Sequence, residues 1–225
     1  MMKRSYQNIA AYTLIEMAIV LVVVGLLISV VMTGVYLVSQ SKVRTIIAEQ
    51  ETYQAAIKNF LDRYNELPGD MSDASGYWGS ASDGDGDEQI EWSADEGVQA
   101  WYQLQESKMI TRGGLTGTAT SAKAVIDTNV PSSAIRGSVG WYLDYDSTVG
   151  NHLGLGAQET TGVNDGPALS ASEAKKIDEK LDDGIANSGR VFSNGTNCHS
   201  SGTYSVGAAS SEGVDCDMQI RLVTE

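Results

Sequence analysis

Three aspartates at alternate positions give the segment around residue 85 the clearest potential for chemistry. Asp83, Asp85 and Asp87 are separated by glycines. Carboxylates in this arrangement can turn toward one hard cation, as they do in the EF-hand calcium loop. Glu88 stands where that loop needs its turn glycine, however, and Ala94 stands where it needs its final glutamate. A candidate calcium site and a solvated acidic turn, in which Gly and Asp supply backbone freedom, are therefore both open.

Other groups that could catalyse a reaction are sparse. His152 and His199 are the only histidines, and they lie in different segments. Cys198, His199 and Cys216 supply at most three ligands, whereas a structural zinc site wants about four. The sequence contains no Gly-x-Ser-x-Gly nucleophile elbow and no phosphate-binding loop. These observations predict a protein that is not an enzyme, with calcium as the one cofactor left open.

The charge of the chain argues against one partner and for a membrane. Lys and Arg number 15 against 29 Asp and Glu, a formal net charge of -14. Phosphate backbones repel so acidic a chain, so we expect no nucleic-acid partner. Lys3 and Arg4 precede an apolar run, no acid occurs before Glu16, and acids dominate from Asp62 onward. This order is typical of a chain whose N-terminus stays in the cytoplasm while its body is exported.

The apolar run itself is long enough to cross a membrane. Residues 17–41 are 25 consecutive residues without a charge, and a spanning helix needs about 20. The run exceeds the apolar part of a secretory signal, which reaches about 15 residues, and no small-x-small cleavage site follows it. Glu16 at its start is unusual, because a carboxylate beside apolar surroundings loses solvation. A helix N-terminus favours an anion, which explains why Glu16 is tolerated.

The residues before the apolar run carry a family resemblance. Ala10-Ala11-Tyr12-Thr13-Leu14-Ile15-Glu16, behind a short basic leader, resembles the start of type IV pilins and of the pseudopilins of type II secretion. The family has Gly and then Phe-Thr-Leu-Ile-Glu, so Ala11 replaces Gly and Tyr12 replaces Phe. The resemblance implies that a prepilin peptidase cuts between Ala11 and Tyr12 and methylates the new amine. It also implies that Glu16 neutralises the amine of a neighbouring subunit in a filament.

The function implied by this resemblance is assembly. The chain is expected to be a structural subunit of a type IV pilus-like filament, held in the inner membrane by a single span with its C-terminal domain exported. It would then join a cell-surface or periplasmic filament. The partners implied are other copies or related pilin subunits, the prepilin peptidase and an inner-membrane assembly platform. A pseudopilin of a type II secretion system and a membrane-anchored exported calcium- or ligand-binding protein remain as alternatives.

Apolar residues continue at helical spacing beyond the membrane segment. The residues that recur at three- and four-residue steps are Val43, Ile46, Ile47, Ile57, Phe60, Leu61 and Tyr64. The pattern predicts one helix, half in the membrane and half packed against a soluble domain. It should end before Pro68, since a residue that precedes proline avoids the helical region. The turn Leu67-Pro68-Gly69-Asp70 resembles a segment that is common after the first helix of pilin-like proteins.

Two further helices and several strands are predicted in the acidic body. Ser93–Glu96 and Ser170–Glu173 both match the capping box that opens a helix. The segment 138–146 alternates like a half-buried strand. Its predicted buried face consists of Val139, Trp141, Leu143 and Tyr145. The segments that complete the strands are Leu153–Leu155, 189–192 and 218–223.

These patterns together predict an α+β fold. A long N-terminal helix, half transmembrane, packs against a small antiparallel sheet domain with loop insertions and two short helices. The predicted segments are the prepilin leader 1–11, the transmembrane and filament-core half of the helix 12–41, its amphipathic half 42–67 and the exported globular pilin-like domain 68–225. Cys198 and Cys216 lie in that domain, where a disulfide is the default, whereas a cytosolic chain would keep two free thiols.

Overall fold

The computed structural model describes residues 13–118, 123–207 and 213–223 of the chain. The helices are α1 (Leu14–Tyr64), α2 (Ala74–Tyr77), α3 (Glu96–Glu106) and α4 (Ala171–Leu181). The strands are β1 (Ser132–Ser133), β2 (Arg136–Asp146), β3 (Gly150–Ala157), β4 (Val191–Phe192), β5 (His199–Ser200), β6 (Thr203–Tyr204) and β7 (Met218–Arg221). The chain divides into two units, Met1–Ser41 and Lys42–Glu225, and the predicted α+β fold is confirmed.

The C-terminal half of α1 belongs to the second unit and contributes to its core. Its buried residues are Val43, Ile46, Gln50, Ala56, Ile57 and Phe60. They recur at steps that place them on one face of the helix, which lies against the domain as the sequence predicted. The helix ends at Tyr64, and Asn65 follows with a left-handed backbone, φ 57°. The predicted stop before Pro68 is therefore confirmed.

The main sheet has five strands in the order β1-β2-β3-β7-β4, and every pairing in it is antiparallel. β5 and β6 form a separate two-stranded hairpin. β7, the last strand in the chain, therefore lies inside the main sheet, with β3 on one side and β4 on the other.

Strand β2 is buried on both faces at its centre, where the sequence predicted one buried face. Val139, Trp141 and Leu143 are buried as expected, but Tyr142 is also fully buried. Gly154 on β3 pairs with Tyr142 on β2, and a Cβ atom at Gly154 would lie 2.0 Å from the Tyr142 ring. The glycine thus makes room for an aromatic ring that simple alternation assigns to solvent.

One of the two predicted capping boxes forms and the other does not. The Ser170 side chain accepts from the Glu173 backbone while the Glu173 side chain accepts from the Ser170 backbone, which confirms the box at the start of α4. The box predicted at Ser93 is wrong. Trp92–Ala94 form a 3-10 turn, and Asp95, with φ 63°, is the N-cap of α3. The Glu96 side chain instead accepts hydrogen bonds from the backbone N of Asp85 and of Glu91. Both donors belong to residues 83–91, which we call the acidic loop.

The predicted disulfide is present. Cys198 and Cys216 are fully buried and bonded to each other. Backbone hydrogen bonds also join Cys216 to Leu169, just before α4. The bridge therefore ties the segment that leads into β7 to the β5–β6 hairpin.

Candidate functional site

The two features that the sequence indicated as functional, Glu16 and the acidic loop, lie in different units of the chain. Glu16 begins the apolar half of α1, while the acidic loop belongs to the second unit. The predicted cleavage-site residues, Ala11 and Tyr12, lie outside the described residues. Each feature is therefore built up separately from its own contacts.

Glu16 takes part in a capping box that the sequence analysis missed. Its carboxylate Oε2 accepts hydrogen bonds from the backbone N of Thr13 at 2.7 Å and from Thr13 Oγ1 at 2.8 Å. The Glu16 backbone N donates to Thr13 Oγ1 at 3.3 Å. Thr-x-x-Glu is the sequence signature of this arrangement, so the pattern was available in Thr13-Leu14-Ile15-Glu16. Glu16 thus stabilises the first turn of α1, which is a role even an ordinary membrane anchor could use.

The apolar half of α1 has no covering partner among the described residues. Its large side chains are exposed, from Leu14 at 92% to Val38 at 59%. α1 is the one helix in the described parts of the chain that is long and apolar enough to cross a membrane. This agrees with the predicted single-pass anchoring, because so much apolar surface in water would be unfavourable.

Two of the three aspartates of the predicted calcium loop come together and the third does not: carboxylate oxygens of Asp85, Asp87 and Glu91 lie within 4.8 Å of one another, whereas Asp83 is held elsewhere. Asp83 accepts hydrogen bonds from the Ser75 backbone N at 2.7 Å and from Ser75 Oγ at 3.1 Å. Asp87 accepts from the backbone N and side-chain Nε2 of Gln89. Among the described residues, Asp83 joins no group of three carboxylates within ligand distance of one another. Asp83 and Asp87 therefore accept local hydrogen bonds within this loop.

A different set of carboxylates meets beside the loop. Oxygen atoms of Asp70, Asp85 and Glu96 all lie within 4.8 Å of one another. Asp70 comes from the turn after α1 and Glu96 from the first position of α3, and both are only 3% exposed. The sequence pattern does not reveal this group, because its members lie 11 to 26 residues apart and form no local motif. The positions of Asp70 and Glu96 depend on tertiary packing.

Backbone amides of the acidic loop wrap around two of these carboxylates. Asp70 accepts from the backbone N of Gly86 at 2.7 Å, of Asp87 at 3.2 Å and of Glu88 at 2.8 Å. Glu96 accepts from the backbone N of Glu91 at 2.9 Å, and Asp85 N donates to its other oxygen at 3.4 Å. The two buried carboxylates therefore hold the loop in place.

Burial also changes the acidity of these two groups. Loss of solvent is the main cause that raises the pKa of Asp70 above its ordinary value. The same cause raises the pKa of Glu96 to about 7, with smaller contributions from the charges of Asp70 and Asp85. Glu96 therefore changes its charge near neutral pH, unlike an exposed glutamate.

The three carboxylates are ligands of the type that a hard cation prefers, but they are fewer than the number of ligands that calcium takes. All three donors are carboxylate oxygens, which calcium prefers, yet calcium takes six to eight oxygen ligands. The oxygens of Asp70 and Glu96 already accept five backbone N–H groups. These hydrogen bonds hold the loop and use part of the acceptor capacity of the two carboxylates.

The histidines and cysteines form no common site in the described residues. His152 on β3 is buried, and its Nδ1 donates to the Gly150 carbonyl at 3.0 Å, while its Nε2 has no partner. His199 on β5 accepts from the Gly202 backbone N at 3.2 Å. Cys198 and Cys216 are used in the disulfide.

No protein-family model, curated protein or solved structure matches the chain.

Proposed function

We propose that the chain is a structural subunit of a type IV pilus-like filament, inserted in the inner membrane and assembled through the N-terminal half of α1. The observation that carries the proposal is Glu16, the one charged residue at the edge of an apolar helix half whose side chains are exposed. A membrane anchor needs apolar surface and can use Glu16 as no more than a helix cap. A filament subunit also needs a group that fixes how far one helix lies along the next.

The proposed role of Glu16 follows from the cost of burying a charge. After cleavage, the mature N-terminus at Tyr12 would carry an amine about one helical turn from Glu16. In a single subunit, lipid headgroups and water can solvate both groups. In a filament they are surrounded by other helices, where an unpaired charge is expensive. The carboxylate of one subunit is therefore expected to meet the amine of the next and to set their axial register.

The test substitutes Glu16→Gln and measures incorporation into filaments. Gln keeps an oxygen that can accept from Thr13, so the capping box survives while the charge is removed. Loss of one partner of a buried ion pair costs roughly 3–5 kcal/mol, so we expect incorporation to fall sharply. Wild-type and variant subunits are quantified in sheared filaments, with membrane insertion and the disulfide measured in the same cells.

Thr13→Ala is the matched control, because it breaks the capping box and leaves the charge of Glu16 in place. The proposal expects Thr13→Ala to incorporate better than Glu16→Gln. Equal incorporation of Glu16→Gln and wild type would contradict the proposal and leave Glu16 as a helix cap. A filament seen only when a type II secretion system is expressed would favour the pseudopilin alternative.

The second candidate, an exported calcium-binding protein, now rests on Asp70, Asp85 and Glu96 in place of Asp83, Asp85 and Asp87. Three carboxylate oxygens within 4.8 Å of one another are the observation that favours it. A cation that binds the folded protein alone raises its unfolding temperature with ligand concentration. Calcium titration of wild type and Asp85→Asn decides the matter, and a wild-type unfolding temperature that ignores calcium rejects this candidate.

A further inference from the structure

An exposed aromatic surface lies where α1 ends. Tyr64, Tyr77 and Trp78 contact one another, with ring centroids 5.4 to 5.7 Å apart. Tyr64 and Trp78 pack on the fully buried Phe60, whose ring centroid lies 4.6 Å and 6.0 Å from theirs. Tyr77 is 59% exposed, while Tyr64 and Trp78 are half-buried. We call these three rings the aromatic ledge.

The ledge is fixed by secondary structure. Tyr64 is the last residue of α1, Tyr77 is the last residue of α2, and Trp78 is the C-cap of α2. Its rings are held by contacts with one another and by Phe60, so Tyr77 loses little further freedom when a ligand packs on it. Exposed apolar surface of this kind in a folded domain marks a binding site more often than an isolated exposed side chain does.

A cleft of about 650 Å³ lies at the same end of α1, lined by the residues that follow Tyr64 in the chain and not by the three rings themselves. Asn65 and Glu66, which directly follow Tyr64, contribute to its wall, and Ser72, Asp85 and Glu88 line it further on. Oxygen atoms of these side chains can accept hydrogen bonds from hydroxyl and ammonium groups. A ligand long enough to reach from the ledge into the cleft would therefore meet these acceptors.

The charge around the ledge selects the sign of the ligand. Residues 62–96 hold eleven acidic side chains and one basic side chain, so this stretch carries -10 of the chain's formal charge of -14. Such a field repels anions and concentrates cations. The single basic residue, Arg63, already lies over the Tyr64 ring, with its Cζ 5.3 Å from the centroid. The ledge thus accommodates a cation on an aromatic face within the protein itself.

We propose that the aromatic ledge and its cleft bind an amino sugar of a polysaccharide, with a pyranose ring against Tyr77 and its ammonium and hydroxyl groups toward the carboxylates of the cleft. A pyranose offers a flat C–H face for the ring and several donors for the acceptors, and an amino group matches the negative field. A uronic acid has the same shape but the wrong charge. The proposal does not depend on the proposed filament function.

The test uses the full chain in detergent micelles with a calcium chelator present. A glucosamine tetramer is titrated by calorimetry, with its N-acetylated form, a galacturonate tetramer and tetralysine as comparisons. We expect saturable binding of the glucosamine tetramer, weaker binding of the N-acetylated form and none of the galacturonate. Tyr77→Ala should weaken binding roughly tenfold, because it removes the aromatic face on which the pyranose ring packs.

Two matched variants sharpen the result. Tyr77→Phe keeps the ring and should bind like wild type, and so should Tyr102→Ala, which removes a half-buried tyrosine that neither belongs to the ledge nor lines the cleft. Absence of saturable binding, or equal binding by Tyr77→Ala, overturns the proposal. Tetralysine that binds as tightly as the sugar overturns the sugar assignment in favour of a basic peptide. Equal binding of the N-acetylated tetramer overturns the role given to the carboxylates.

Discussion

The indole Nε1 of Trp141 donates a hydrogen bond to the Glu49 carboxylate at 2.9 Å, joining β2 to α1 across 92 residues of sequence. The same carboxylate accepts from Ser133 Oγ at 2.6 Å and from the Ala134 backbone N at 2.7 Å. Trp141 is fully buried. Glu49 is therefore the acceptor that satisfies three donors of the sheet edge where it lies on α1.

Glu49→Ala should destabilise the domain formed by residues 42–225. It leaves the buried Trp141 indole and the Ser133 hydroxyl without their acceptor, and a buried donor left unpaired costs about 1–3 kcal/mol. Denaturant unfolding of the full chain, followed by tryptophan fluorescence, measures the loss. Glu51→Ala, at an exposed position of the same helix, should change stability by less than about 0.5 kcal/mol. Equal effects of the two variants would mean that the Glu49 contacts contribute nothing.

Glu96 should give the domain a pH-dependent stability near neutrality. Burial raises the pKa of Glu96 from 4.5 to about 7, so the folded state holds the proton more tightly than the unfolded state does. This contribution to stability is complete below pH 4.5 and is lost as the pH rises through 7. Glu96→Gln removes the titration, so the variant should gain stability relative to wild type as the pH rises from 4.5 through 7, and the difference should level off above that range. Unfolding midpoints across this range check the difference, and two parallel pH profiles would contradict it.

Removal of the disulfide should cost the domain about 2–4 kcal/mol, since the bridge restricts the unfolded chain over a short loop. The variant Cys198→Ala with Cys216→Ala is the right one, because both sulfurs are fully buried and serine would bury an unpaired hydroxyl. Denaturant midpoints measure the loss. A mild reductant should leave the disulfide of the folded wild type intact, because both sulfurs are fully buried. A double variant as stable as wild type would show that the bridge is dispensable.

Processing should leave a mature chain that begins at Tyr12 with a methylated amine. The basic leader and the string Thr13-Leu14-Ile15-Glu16 are the basis of this prediction. Mass spectrometry of the N-terminal peptide from native cells checks it. Ala11→Gly should speed the cut if the peptidase prefers the smaller residue. A peptide that retains residues 1–11 would remove the main support for the filament proposal.

Local signals in the sequence predicted the elements whose causes are local. The end of α1 follows from the turn before Pro68, and the start of α4 follows from the Ser170–Glu173 box. The Ser93–Glu96 pattern has the same form but fails. Glu96 accepts from backbone N–H groups of the acidic loop instead, and Asp95 takes the N-cap in a left-handed conformation. The hydrogen bonds of the Glu96 side chain to Asp85 and Glu91 thus outweigh a helix-capping preference worth about 1 kcal/mol.

Long-range contacts were beyond prediction from the sequence. Glu49 lies among charged residues that the helical pattern assigns to solvent, yet its partners come from β2 and the segment just before it. Asp70 was predicted only as part of a turn, although it holds the loop 86–88 in place. Each of these roles needs a second segment to arrive in the right place. A single sequence carries no marker of that pairing.

The position of β7 inside the sheet has a consequence for how the protein is made. Ribosomes add roughly 5–20 residues per second, so α1 is complete on the order of ten seconds before β7 exists. Until then β3 and β4 lack the strand that joins them, and the core lacks Met218 and Ile220. In the proposed export, the domain can close only after the residues through Arg221 have crossed the membrane. A product that stops short of residue 218 would present an open β3 edge, so completion of the sheet would itself report that synthesis has passed β7.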